Sequence, residues 1–370
     1  MRSSPGGKLR RMKTQQSSSK KIKKTVGQVT IGIDIGDQWS HYCTLNDAGE
    51  VIEEGRFRTT AAALGKHFAD MDSVRIALEN GTHSIWISEQ LRGYGHQVIV
   101  ANVRELHAIC RNDRKSDRVD AEKLARFARL DPNILRPITH RSVALQESLT
   151  IIRARDVLVR VRTALVNAAR GLAKPCGFRL PKCSTRSFHK RCLALLPEGL
   201  KPALKPLIDQ IEQVTAQIEI YDERIEEMTE QTFPETQALI QVPGVGALTA
   251  VTFVLTVGDK DRFQKSRDVG SYIGLRPRRD QSGTRDPQLG ITKAGNGYLR
   301  NLLVECANHI LGRFGKDSAL RRWGLHLMER GGKNARKKAL VAVARKLAVL
   351  LHKLWVTQEQ YSPFYGQQAA

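Results

Sequence analysis

Apolar and polar residues alternate with a period of two over three short stretches, 28–35, 39–46 and 50–58, separated by Gly-Asp and Asn-Asp-Ala-Gly turns. That period marks half-buried strands, and such turns join neighbouring strands into hairpins. The pattern then switches. Helical spacing over 60–70, an apolar run at 73–79, helical spacing over 83–94, a run at 96–101 and a last helical stretch that includes 117–130 predict αβαβα.

Beyond this the chain reads as helical. Leu145, Ile152, Val159 and Val166 form one row, and Ile151, Leu158, Leu165 and Leu172 another, along an uninterrupted stretch at 141–174. A looser segment follows, carrying Pro175, Pro181, Pro197, Pro202 and Pro206. Leu204, Ile211, Ile218 and Ile225, with Leu207, Val214, Tyr221 and Met228 three residues on, then give a heptad pattern. From Leu204 to Met228 this makes a helix about 37 Å long, packed either on 141–174 of its own chain or on a second copy. An α-rich segment begins after Pro234 and closes on an apolar helix near 335–355. The expected organisation is a disordered basic arm (1–27), an α/β domain (28–135), a helical or coiled-coil region (136–233), an α-rich C-terminal domain (234–360) and a tail (361–370).

Composition narrows the partners. The 370 residues carry a formal charge of +23, which favours a polyanion. No apolar run approaches the roughly 18 residues of a membrane span, and no signal-peptide core is present, so a cytoplasmic protein without membrane contact is expected. Six scattered cysteines fit reduced thiols; Cys176, Cys183, His189 and Cys192 form a paper zinc site that lacks a C-x-x-C clasp.

Four acids stand where the predicted elements would gather them. Asp34 ends the first strand and Glu79 the fourth, while Asp117 and Asp120 lie three apart on the last helix, hence on one face. Three hairpin-linked strands followed by αβαβα is the element order of the ribonuclease H-like fold. Converging carboxylates need a cation between them, and oxygen-only donors suit magnesium or manganese. Two such ions can clamp the attacking and leaving oxygens of a phosphodiester. Asn80 is a candidate for orienting a metal ligand or, equally, for capping the strand end, and Trp86 and Trp323 read as core residues.

In the C-terminal part, Gln241-Val-Pro-Gly-Val-Gly-Ala-Leu-Thr-Ala250 is a helix-hairpin-helix signature whose Gly244 and Gly246 would offer backbone N–H groups to phosphate. Arg276, Arg278 and Arg279 precede Asp280-Gln-Ser-Gly-Thr284; Lys293 and Arg300 follow, as candidate phosphate contacts or, equally, as basic residues of solvated helix faces.

The tetrad, the Pro-Gly-Val-Gly hairpin, Gln281-Ser-Gly283 and Ile291-Thr-Lys-Ala-Gly…Leu-Arg together resemble the bridge-RNA-guided insertion-sequence transposases of the DEDD/serine type, the "one-ten" insertion-sequence family, over about 28–360. The resemblance implies a RuvC-like N-terminal domain, a coiled coil and a C-terminal domain with a nucleophilic serine, here Ser282. Where members commonly carry Ser-Ser-Gly-Gly, this chain leaves one serine to align. It also implies a metal-loaded tetrad at Asp34, Glu79, Asp117 and Asp120, donor and target DNA paired by a structured guide RNA, and dimers that pair into tetramers. A serine hydroxyl needs its proton withdrawn, and no histidine lies near Ser282 in sequence, so activation is expected from the acidic site.

Other functions fit part of the pattern. A structure-specific nuclease of the junction-resolvase kind would use the tetrad and water without a serine adduct. An ATPase or sugar kinase would explain Ile33-Asp-Ile-Gly-Asp37 alone, and a non-catalytic binding protein would explain the charge and the hairpin.

Overall fold

The computed structural model describes residues 29–102, 116–287 and 289–364. The basic arm expected at 1–27 lies outside the described residues, as does the end of the expected tail. The chain divides between His140 and Arg141 into two compact units.

The first unit is built on a five-stranded sheet, β1 (Thr30–Asp34), β2 (Trp39–Leu45), β3 (Val51–Arg58), β4 (Arg75–Glu79) and β5 (Gln97–Ala101), in the order β3-β2-β1-β4-β5. The hairpin strands pair antiparallel, and β4 and β5 add parallel to β1. Alternation sorts the side chains. Ile31, Ile33, Phe57, Ile76, Leu78 and Val100 bury one face under α1 (Ala61–Phe68) and α2 (Ser84–Gly93), which contribute Leu64, Phe68, Ile87 and Leu91. The other face is lined by small residues and carries α3 (Asp117–Leu130). There Ala77, Ile99 and Ala101 meet Leu124 and Ala128, and Cys43 and Leu45 meet Ala121 and Ala125.

Gly32 is why α3 sits so close. A Cβ on Gly32 would fall 2.0 Å from the Ala121 carbonyl oxygen and 2.5 Å from the Ala125 nitrogen. Helix backbone rests directly on strand backbone at that point.

The second unit is helical. α4 (Val143–Ala173) and α6 (Lys201–Glu227), with the short α5 (Phe188–Leu193) between them, form an antiparallel hairpin. Val166, Ala169 and Ala173 meet Leu204, Ile208 and Ile211 at one end; Leu149 and Ile152 share a core with Ile225 and Met228 at the other. The heptad row Leu204, Ile211, Ile218, Ile225 is buried together with Ile208 and Thr215, while Leu207, Val214 and Tyr221 are only half-buried. Of the two packings open to this helix, the structure takes the one within its own chain, so the row no longer argues for a second copy. Arg155 Nε, 2.5 Å from Asp222 Oδ1, ties the two helices.

The helix also starts earlier than its prolines suggest. Pro202 occupies the first turn, where no N–H partner is required, and the bond forfeited at Pro206 falls at the exposed helix start.

The remaining helices are α7 (Thr236–Ile240), α8 (Ala247–Val257), α9 (Val269–Tyr272), α10 (Gly297–Leu311), α11 (Ala319–Glu329) and α12 (Ala335–Thr357). Val251, Phe253 and Leu255 of α8 are fully buried among Leu299, Leu303, Leu347 and Leu351. Leu149, Ile152, Ile225 and Met228 belong to the same core, so helical segments on both sides of Pro234 are joined by one apolar interior. Trp323 packs against it beneath Lys346 Nζ, 3.9 Å from the ring centroid. Among the described residues no helix is long and apolar enough to cross a membrane.

Candidate active site

β1 and β4 are neighbouring parallel strands in the register Gly32↔Ala77 and Ile33↔Leu78, so the next residues, Asp34 and Glu79, end them side by side. Alternation puts both on the face of Gly32 and Ala77, the face that carries α3. α3 runs antiparallel to β1. Its later residues Arg126 and Arg129 reach the Gly49 and Asp47 carbonyls, beside the start of β1, and its first turn lies at the Asp34 end. That first turn carries Asp117 and Asp120, where acidic side chains complement the helix dipole. The four acids therefore share one sheet face and one end of it.

Within that arrangement Asp117 and Asp120 each lie beside a nitrogen-bearing side chain. Asp120 Oδ1 lies 3.3 Å from Lys123 Nζ, and Asp117 Oδ2 lies 3.6 Å from His41 Nδ1. Among the described residues no three His, Cys, Asp or Glu groups stand together closely enough to hold an ion. The donor set itself, four carboxylates and no sulfur, suits a hard divalent cation. The paper zinc site is likewise not gathered: Cys176 is exposed, and burial pushes the Cys192 thiol up to about 12, which keeps it protonated.

Around the acids, Asp37 is exposed in the turn with His83 Nε2 at 3.3 Å, and Glu122 pairs along α3 with Arg126. Asn80 is exposed and its backbone N–H donates to the Ala101 carbonyl, which caps the strand end. Trp86 packs on the apolar core and donates Nε1–H to His83 Nδ1.

In the second unit Ser282 stands at the tip of a narrow β-finger. Arg278 N–H donates to the Gly290 carbonyl and Thr292 N–H to that of Arg276, with Pro277 opposite Ile291. At the tip, Ser282 and Arg285 exchange backbone bonds of 3.0 Å around Gly283, whose φ of 56° suits the first central position of a tight hairpin turn. Every residue from Arg276 to Asp286 is exposed, and Arg279 Nη2 donates to Asp286 Oδ2 at 3.3 Å.

The base of the finger is a backbone crossing. A Cβ on Gly274 (φ 77°) would lie 2.3 Å from the Ala294 carbonyl oxygen, and one on Gly295 (φ 66°) 2.1 Å from that of Tyr272. Arg300, expected as a phosphate contact, instead spans this crossing: Nη1 donates to the Ile273 and Ala294 carbonyls, both at 2.8 Å. A solvated helix face and a carbonyl bridge look alike in sequence. Lys293 stays exposed, in the left-handed region. Gly244 (φ 92°) makes the turn between α7 and α8, and Gly246 caps α8.

Two features went unnoticed in the sequence: His41, and an aromatic-arginine group at Trp39, Arg56 and Arg58. A signal for both existed, because alternation along 39–45 places Trp39 and His41 on the α3 face once Asp34 is paired with His41.

Comparison with known proteins matches two stretches of the chain, the first of which runs past the boundary at His140 into α4. Residues 31–175 match a family model described as Transposase, of the DEDD type of IS110, and residues 236–323 match one described as Transposase IS116/IS110/IS902 family. The transposase for insertion sequence element IS1111A of Coxiella burnetii is 29% identical over 92% of this chain and 94% of its own length. The candidate transposase y4pF/y4sB of Sinorhizobium fredii is 30% identical over 82% and 78%, and the pilin gene-inverting protein of Moraxella bovis 25% over 86% and 93%. The chain belongs to the IS116/IS110/IS902 transposase family, and it is a DNA transposase/recombinase enzyme.

Proposed function

We propose that the chain cuts and rejoins DNA with Asp34, Glu79, Asp117 and Asp120 as ligands of magnesium or manganese and Ser282 as the nucleophile. One observation carries this: two acids end adjacent parallel strands on the face where the first turn of α3 brings two more. The sheet order β3-β2-β1-β4-β5 supports a ribonuclease H-like, RuvC-like domain, and the α7–Gly244–α8 turn supports a helix-hairpin-helix seat for phosphate. A divalent ion held by the acids would stabilise charge that develops on phosphate oxygens.

The chain's own groups do the rest. The Ser282 Oγ–P bond forms as one backbone P–O bond breaks, and the proton lost by Oγ balances the one gained by the departing sugar oxygen. Exposed Arg276 and Arg278 hold the phosphate by charge-assisted hydrogen bonds. Attack of a second DNA hydroxyl on the seryl phosphate rejoins the strand and frees Ser282. The formal charge of +23 supports a further polyanion, a structured guide RNA that pairs with donor and target DNA. Exposed Val157, Val161, Leu172 and Ile220 on the helical hairpin support association of copies into dimers that pair as tetramers.

Ser282→Ala is expected to abolish the covalent protein–DNA adduct trapped in detergent while leaving DNA binding intact; an adduct that persists refutes the nucleophile. A second reading, a nuclease using metal-activated water, is favoured by one fact: among the described residues Ser282 Oγ has no hydrogen-bonded base. Free ends without rejoining, and no adduct in the unaltered protein, would select it.

A further inference from the structure

An anion-seeking group lies on the same sheet face as the acids. Register pairs Asp34 with His41 and His41 with Arg56; one step along, Trp39 pairs with Arg58. The guanidinium carbons of Arg56 and Arg58 stand 4.7 and 4.5 Å from the Trp39 ring centroid. Both arginines are exposed, and among the described residues neither has a carboxylate partner. The nearest acid of β3 on this face, Glu54, is already paired with Arg118. Two guanidiniums gathered at one ring repel each other, and the ring quadrupole offsets this only in part. Packed against the ring and exposed, both guanidiniums are open to solvent, and a guanidinium fork can receive a phosphate bidentately.

We propose that Trp39, Arg56 and Arg58 form a clamp for phosphates of the DNA strand that runs to the acid edge. Arg56 is two strands from Asp34, about 10 Å at the usual strand spacing. That is about three nucleotides along a DNA strand. Trp39 is the scaffold that holds the arginines, and the arginines are the contacts. The clamp rests on the acid-site reading only for which strand it grips, since binding is measured without cleavage.

The test uses the full chain carrying Asp34→Asn, titrated onto a fluorescent DNA duplex between about 50 and 200 mM salt, with and without Arg56→Gln/Arg58→Gln. Each phosphate contact adds about 0.9 to the slope of log affinity on log salt, so losing two lowers it by about 1.8 and shrinks the salt-induced loss of affinity about twelvefold. Lys66→Gln/Arg92→Gln removes equal charge from α1 and α2 on the opposite face and leaves the slope unchanged. Should the glutamine pair fail to fold, Arg56→Lys/Arg58→Lys keeps the charge and loses the planar fork: affinity falls severalfold with the slope retained. An unchanged slope in the glutamine pair, an equal fall in the Lys66/Arg92 pair, or full affinity in the lysine pair overturns the clamp. A fall seen on an RNA duplex and not on DNA overturns it too, in favour of RNA. Cleavage by the protein with Asp34 intact tests the acid site separately.

Discussion

Replacing Gly32 by alanine gives the sharpest test of how the acid edge is held. The new Cβ would lie 2.0 Å from the Ala121 carbonyl oxygen, and real Cβ contacts essentially never fall under 3.0 Å, so α3 must retreat by at least 1 Å. The obstacle is helix backbone, which cannot rotate aside as a side chain can. Overpacking of this kind costs about 1–3 kcal/mol. For a unit of this size that lowers melting by about 4–12 °C. Asp117 and Asp120 ride on the displaced helix one turn or less from the clash, whereas Asp34 and Glu79 stay with the sheet. A shift of about 1 Å between groups that must act together costs roughly hundredfold in rate. The assay is strand cleavage on a DNA duplex in magnesium, with differential scanning calorimetry alongside. Gly93→Ala in α2 is the control: its Cβ would meet nothing within 4 Å, and stability is expected to rise by about 0.5–1 kcal/mol. A Gly32→Ala protein that cleaves within threefold of the original and melts at the same temperature would refute the account of α3 as the part that sets the acid edge.

Other consequences can be measured directly. Chelation of divalent ions is expected to stop cleavage and leave DNA binding in place, with magnesium or manganese restoring activity; cleavage that survives exhaustive chelation rules out the proposed tetrad. Gly274→Ala combines a left-handed φ with a 2.3 Å clash against Ala294, and should cost about 2–4 kcal/mol and speed proteolysis after Arg278 and Arg279; unchanged digestion would count against the backbone crossing. His352 is buried, with Nδ1 3.0 Å from Ser266 Oγ and Nε2 3.0 Å from the Lys260 carbonyl, and burial holds its pKa below the ordinary value. Its neutral form belongs to the folded state, so its contribution is intact above about pH 6.5 and is lost as pH falls below that. Melting should drop between about pH 7 and pH 5, less steeply in His352→Gln; parallel profiles would contradict this assignment.

Strands and helices at 28–130 could be placed from the sequence because each has one wet and one dry face, and alternation survives in the residues themselves. The placement of the four acids at one end of one sheet face was legible for the same reason: Asp34 and Glu79 break apolar runs at their ends, and Asp117 and Asp120 keep helical spacing. What stayed hidden depends on pairings between distant residues. Nothing local in Arg300 distinguishes a phosphate contact from a bridge between two carbonyls 27 and 6 residues away. The heptad of α6 states that an apolar row will be covered and leaves open by what; the answer came from α4. His41, Trp39, Arg56 and Arg58 required the strand register, which turns a list of exposed side chains into neighbours.

The crossing beneath the Ser282 finger joins main chain to main chain, through glycines where any side chain would intrude. An anchor of that kind is indifferent to what it supports. Tips of other lengths or charges could be built around Arg276, Arg278 and Ser282, with those three kept, without disturbing the helices below. Reprogramming such an enzyme should therefore begin at this interchangeable cap, with the two glycines left untouched.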